Sequence, residues 1–181
     1  MSADHGRGEW LTRNRLIAFG VALIVFAIDR GVKALLMGPV DLRNTIAIPI
    51  LPVFDLRYTQ NFGVSLGMFA ATSSEMRLAL LAVTGAIALG VVVWMLRERL
   101  LGDLLGLALV LGGALGNIYD RFIRGYVIDY ADLHFGEWRP FLIFNIADAA
   151  ITFGVLILLA RSLLSREKPG DAGQPASTET I

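Results

Sequence analysis

The sequence predicts an all-α membrane protein, with four transmembrane helices and a small strand-rich element on the outer membrane face. Three observations lead there. Hydrophobic residues make up 55% of the 181 and charged ones only 18%, at a mean hydropathy of +0.63, which is too apolar for an ordinary soluble domain. Four apolar stretches approach the roughly 20 residues that carry a helix across a bilayer. Between the first two lies a segment, residues 38–75, with prolines at 39, 49 and 52 and β-favouring runs such as residues 53–59.

The elements follow in chain order. The first stretch, residues 16–37, runs on into Asp29, Arg30 and Lys33 with no small-residue cleavage site, so it reads as a retained span and not a removed signal. Residues 38–75 form the strand-rich element. The second and third spans, about residues 77–96 and 100–118, are joined by a short turn holding Arg97 and Arg99. The third carries Gly102, Gly106, Gly112 and Gly116 at spacings of four, which let helix backbones approach closely. Residues 119–140 form a second outer segment, with Phe135 and Trp138 suited to the interface. The fourth span is about residues 141–164. Residues 1–164 thus form one integral membrane domain. Residues 165–181, rich in Pro, Gly, Ser and Thr, make an unstructured cytoplasmic tail.

Four spans put both termini on one side. Arg7, Arg13, Arg15, Arg97, Arg99, Arg161, Arg166 and Lys168 fall there, against Arg43, Arg57, Arg121, Arg124 and Arg139 on the other, with Arg77 at a boundary. The positive-inside rule therefore assigns the termini to the cytoplasm.

Composition also limits the chemistry. A formal net charge of zero gives no support for nucleic-acid binding. The absence of cysteine excludes disulfides, thiolate metal sites and a cysteine nucleophile. Two histidines, His5 and His134, are too few for a three-histidine metal centre. Carboxylates, hydroxyls, amides and cations remain.

An ionisable side chain near the bilayer centre costs roughly 2.5–3.5 kcal/mol on insertion scales, so each one needs a reason. Asp29 and Lys33 stand four apart on one helix face, either as an ion pair near the membrane surface or as a support for a site. Asn117, Asp120 and Arg121 share a face if the third helix continues. They read as a hydrogen-bonded scaffold or as a helix-end cap with a solvated salt bridge. Asp129 lies in a short apolar run, where a loop charge and a catalytic group are both open readings. Asn145, Asp148 and Thr152 share one face of the fourth span, and an aspartate set inside an apolar helix has no solvent to hold it. Asp132 and Glu137 read as ordinary loop charges.

Two rival assignments have weaker support from their context. Residues 63–67 match the G-x-S-x-G pattern of serine hydrolases, but that motif needs a strand–turn–helix in an α/β sheet, and no βα alternation exists here. A proton- or ion-coupled transporter also uses intramembrane carboxylates, but four spans without an inverted repeat make a poor transporter core.

In order along residues 16–160, Asp29 with Lys33, Asn61-Phe-Gly63, Gly116-Asn-Ile-Tyr-Asp-Arg121, Val127-Ile-Asp129-Tyr130 and Phe144-Asn145-Ile-Ala-Asp148 resemble the five boxes of the lipoprotein signal peptidases (signal peptidase II, peptidase family A8). These are bacterial membrane proteases. One departure is mild: Ser65 stands where that family more often has a small apolar residue such as alanine.

The resemblance implies an aspartic endopeptidase with Asp129 and Asp148 as the catalytic pair. It implies supporting or substrate-binding roles for Asp29, Lys33, Asn61, Gly63, Asn117, Asp120, Arg121 and Asn145. It implies prolipoprotein substrates whose lipobox cysteine already carries a diacylglyceryl group, cut just before that cysteine. No metal or organic cofactor is expected, and no nucleic acid. The expected setting is a monomer among the lipids of the bacterial cytoplasmic (inner) membrane, with the site near the outer face. Two carboxylates facing one water divide the work: one takes its proton, the other protonates the scissile carbonyl oxygen.

Overall fold

A computed structural model describes residues 12–64, 69–70 and 74–165. His5, Ser65, Gly67 and the expected tail beyond Ser165 lie outside these.

The first helix, α1 (Arg13–Met37), starts after Thr12, whose hydroxyl accepts the Arg15 N–H at 3.4 Å. A 3-10 turn at Leu42–Asn44 leads into β1 (Ile48–Leu51) and β2 (Phe54–Asn61), followed by the short strands β3 (Gly63–Val64) and β4 (Phe69–Ala70). Then come α2 (Ser74–Arg97), α3 (Leu101–Arg124), β5 (Val127–Leu133) and α4 (Ile146–Ser165). The fold is mostly helical with a small antiparallel sheet, of order β1-β2-β5, and a separate β3–β4 ladder.

Among the described residues, three helical segments, Glu75–Arg97, Leu101–Arg124 and Ile146–Leu164, are long and apolar enough to cross a membrane. With 25 residues α1 has the reach, roughly 37 Å at 1.5 Å per residue, but it carries Asp29, Arg30 and Lys33 and is not among the three.

Two helix ends differ from the sequence expectation, each for a physical reason. The third helix does not stop near residue 118 but runs to Arg124, because its late charges find partners on α1. It ends where Gly125 takes a φ of +79°, a left-handed conformation that glycine adopts without strain. The fourth apolar stretch becomes helical only at Ile146, because Phe144 is drawn into the sheet. Its N–H donates to Ala131 O at 3.1 Å and its carbonyl accepts from the Ala131 N–H at 2.8 Å.

The bundle is organised around α3. Half of its apolar stretch is buried inside the protein, against 11% for α2 and for α4, so the latter two present their apolar faces outward, as lipid solvent allows. Leu104, Leu107, Ala108 and Leu111 of α3 pack with Ala18 and Ala22 of α1 and Ala88 and Met95 of α2. Close approach depends on bare backbone. A Cβ at Gly113 would collide with the Ala147 carbonyl of α4, and one at Gly116 would lie 2.7 Å from Asp29 Oδ2. A second cluster, Leu36, Leu42, Ile128, Tyr130 and Ala131, fixes the sheet on the end of α1.

The sheet takes its third strand from the second outer segment, not from residues 38–75 alone. Pairing puts Thr59 opposite Asp129 and Asn61 opposite Val127. Every residue from Val127 to Asp132 is buried. That strand carries Asp129 into the interior at the end of the bundle.

Candidate active site

Asn145 is the residue before α4, and its side chain and backbone form a reciprocal cap with Asp148. Its Oδ1 accepts the Asp148 N–H at 2.9 Å, while Asp148 Oδ2 accepts the Asn145 N–H at 3.1 Å. This is capping-box geometry, with Asn and Asp in the two roles. The cap orients one carboxylate through the helix end itself.

The amide nitrogen of Asn145 points the other way. It donates to Asp129 Oδ1 at 2.6 Å and lies within 3.2 Å of both Ile128 O and Asn117 Oδ1. Asn117 Nδ2, from α3, donates to Asp148 Oδ1 at 2.8 Å. Asn61 Nδ2, at the end of β2, donates to Asp129 Oδ2 at 3.1 Å, and Asn61 Oδ1 accepts the Gly63 N–H at 3.1 Å. Three amides from three elements thus hold two carboxylates, and Gly63 closes the turn that orients one of those amides.

The two aspartates differ in environment. Asp129 is 2% exposed; Asp148 is half-buried. Burial pushes the Asp129 carboxyl up to about 7, with the charge of Asp148 as the second cause, against the opposing hydrogen bonds from Asn61 and Asn145. Asp148 also forms part of the wall of a cavity of about 300 Å³, otherwise lined by Phe141, Leu142, Phe144, Ala149, Thr152 and Phe153. Thr152 does not reach into the pair: its hydroxyl donates to the Asp148 carbonyl at 2.9 Å.

Beneath the pair lies a buried charge network. Lys33 Nζ is 2.9 Å from Asp29 Oδ2 and 2.8 Å from Asp120 Oδ2, and all three side chains are fully buried. Arg30 and Arg124 reach Asp120 Oδ1 at 2.6 and 2.8 Å. Asp120 Oδ2 also accepts the Ile128 N–H at 3.3 Å, tying the network to the residue before Asp129. Asn117, Asp120 and Arg121 are therefore not one scaffold. Asn117 faces the aspartates, and Asp120 faces the cations of α1. Arg121 lies within electrostatic reach of Asp148, Asp129 and Asp120, and its buried Nε has no hydrogen-bond partner among the described residues.

Several participants escape a reading of the sequence. Arg30 joins Asp120 only because α1 and α3 pack together, whereas Arg124 follows Asp120 by one turn of the same helix. Asp132 is not a loop charge: it is 1% exposed, between Arg57 at 3.5 Å and Arg139 at 3.2 Å. A strand buried on both faces shows no alternation that would reveal this. His134 Nε2 stands 3.3 Å from Asp55 Oδ2.

Comparison with known proteins supplies the family. Residues 21–164 match the family described as Signal peptidase (SPase) II. A lipoprotein signal peptidase of Rhizorhabdus wittichii is 53% identical over 154 residues, which cover 85% of this chain and 90% of the relative. One from Sphingopyxis alaskensis is 47% identical over 169 residues, covering 92% and 98%. A bacterial membrane enzyme solved at 2.3 Å resolution shares the fold at a TM-score of 0.72, with 22% identity and coverage of 87% of this chain and 94% of its own. With a match of that length, and with relatives this similar along almost their whole sequence, the chain belongs to the signal peptidase II family.

Proposed function

We propose that this chain is an aspartic endopeptidase of the bacterial inner membrane, which removes the signal peptide from diacylglyceryl-modified prolipoproteins by cutting just before the lipidated cysteine. The observation that carries the proposal is the pairing of unlike carboxylates through Asn145. Asp129 is buried and pushed up to about 7, while Asp148 borders an open apolar cavity. Groups whose environments separate their proton affinities divide into acid and base.

In this reading Asp129 starts with the shared proton and Asp148 starts ionised. Asp148 takes a proton from water as the oxygen attacks the scissile carbonyl, and Asp129 donates its proton to the carbonyl oxygen. The tetrahedral intermediate collapses, the C–N bond breaks, and the leaving amine takes the proton held by Asp148 while Asp129 recovers its own. Asn61, Asn117 and Asn145 orient the carboxylates. Asp29, Lys33 and Asp120 brace the helices that carry them, and Arg121 supplies positive charge beside the pair. The apolar cavity beside Asp148 suits a lipid-bearing substrate.

The proposal includes four spans, with α1 as the charge-bearing one. Its ionisable residues are paired against α3 and so avoid lipid. Both termini are cytoplasmic, the pair lies toward the outer face, and the chain acts as a monomer among membrane lipids.

The test is cleavage of a lipidated precursor by protein purified in detergent, where no ion gradient exists to drive a transporter. Asp129→Asn and Asp148→Asn should each lose at least about 10²-fold in rate while remaining folded. Near-normal turnover by either variant sinks the dyad.

A further inference from the structure

A cavity of about 500 Å³ adjoins the one beside Asp148. Arg57, Asp132 and Arg139 line it, together with Phe141 and Leu142, which also wall the cavity at Asp148. One apolar ridge therefore stands between a polar cleft and the cavity that borders the aspartate pair.

The two arginines are anchored by one edge and leave the other open. Asp132 is 1% exposed, and both its oxygens accept from Arg139 Nε, at 3.2 and 3.3 Å. Arg57 arrives from β2 and brings its own Nε to 3.5 Å from the same carboxylate. The terminal nitrogens of both guanidiniums make no hydrogen bond or ion pair among the described residues. Asp55 lies opposite Asp132 in the sheet but stands 3.3 Å from His134 Nε2, and neither of these lines the cavity. Asp132 thus positions two guanidiniums whose paired outer N–H groups match the oxygens of a further carboxylate.

The place of the cleft indicates where that carboxylate comes from. Cutting just before the lipidated cysteine leaves that cysteine at the start of the retained chain, and the residues after it must lead away from the aspartate pair. Asp129 and Asp132 are three residues apart on β5, a distance of roughly 10 Å at about 3.3 Å per residue. An extended substrate with its lipid in the apolar cavity would bring about the second to fourth residues after the cysteine level with the arginines. A lipid phosphate could satisfy the same donors, but the cleft is built on the strand that carries Asp129 and shares its wall with the cavity at Asp148, which favours the peptide.

We propose that Arg57 and Arg139 bind an acidic side chain of the substrate shortly after the lipidated cysteine, and so select among precursors. This rests on the endopeptidase reading and adds a specificity site to it.

The test uses the full chain in neutral detergent with two diacylglyceryl-modified precursor peptides. One carries aspartate, the other asparagine, at the second, third and fourth positions after the cysteine. The acidic precursor should be cleaved with a kcat/KM at least about fivefold higher, through a lower KM. Arg57→Gln, whose parent Nε makes no hydrogen bond, should bring the two precursors to within about twofold of each other. Arg57→Lys, which keeps the charge without the fork, should retain part of the preference. Arg43→Gln removes a cation that lies outside the cleft, 5.4 Å from the centre of the Tyr58 ring, and should keep the preference whole. Equal cleavage of the two precursors by the parent, a preference unchanged in Arg57→Gln, or one lost equally in Arg43→Gln overturns the proposal. So does a rise in the unfolding midpoint with phosphatidylglycerol that Arg57→Gln abolishes while the precursors are cleaved alike, which assigns the cleft to a lipid headgroup. Asp129→Asn should cleave neither precursor yet bind the acidic one more tightly by the same factor, so a failure of the dyad and a failure of the cleft are read separately.

Discussion

Asn145 Nδ2 stands 2.6 Å from Asp129 Oδ1, while the backbone N–H of the same residue donates to Asp148. One residue therefore caps a helix and joins two carboxylates carried by different elements. The first prediction separates these duties. Asn145→Ser keeps a capping oxygen but loses the amide donor; Asn145→Ala loses both. Ser and Asn rank alike as caps, and loss of a cap costs about 1 kcal/mol. The alanine variant should melt below the serine variant, while both lose at least about 10²-fold in cleavage rate. Full activity in Asn145→Ser would remove the amide from the proposed machinery.

The second prediction concerns pH. The Asp129 carboxyl rises from an ordinary 3.8 to about 7 on folding, so the folded state holds its proton more tightly than the unfolded state. Its contribution to stability is fully present below about pH 4 and is lost as pH rises through about 7, a change on the order of 4 kcal/mol for this group. Asp129→Asn does not titrate there, so its melting temperature relative to the parent should improve steadily from pH 4 to pH 8. Parent cleavage should fall above about pH 7, as the acid loses its proton. A rate that stays flat to pH 9 would contradict the assignment of Asp129 as the acid.

Lys33 lies between two buried carboxylates. Lys33→Met leaves Asp29 without a cation and should destabilise the protein by about 3–5 kcal/mol, since an uncompensated buried charge is expensive. Adding Asp29→Asn to that variant should recover part of the loss. Unfolding in detergent measures both, and a double variant no more stable than the single one would argue against the pairing.

Two glycines give a paired test of helix packing. Gly113→Ala would drive a methyl into the Ala147 carbonyl, next to Asp148, so α4 must shift. A displacement of about 1 Å at reacting groups costs on the order of 10²-fold in rate. Gly85→Ala has nothing within 4 Å and sits in α2, where the change should stabilise by about 0.5–1 kcal/mol. Thermal unfolding should move in opposite directions in the two variants, and cleavage should fall in Gly113→Ala alone.

Much of the site was legible because apolar helices make polar residues conspicuous. Asp148 and Asn145 in the fourth apolar stretch, and Lys33 four residues after Asp29, stood out against their surroundings, and the order of the boxes pointed to the family. Asp129 and Asp132 were harder. They sit three residues apart in one strand, and nothing local distinguishes the one held by Asn61 and Asn145 from the one held by Arg57 and Arg139.

The sequence by itself determined which segments are apolar enough for a bilayer, which polar residues interrupt them, and the family to which their order belongs. The tertiary structure decided partnership. Asp120 left Asn117 and Arg121 for the cations of α1, Phe144 left its helix to pair with β5, and Asp129 met Asn145 across 16 residues of chain. The reason is physical: hydropathy and helical period are properties of neighbours along the chain. The hydrogen bonds and ion pairs that satisfy a buried polar group are set by which elements pack together, and here glycines on α3 let α1 and α4 close in.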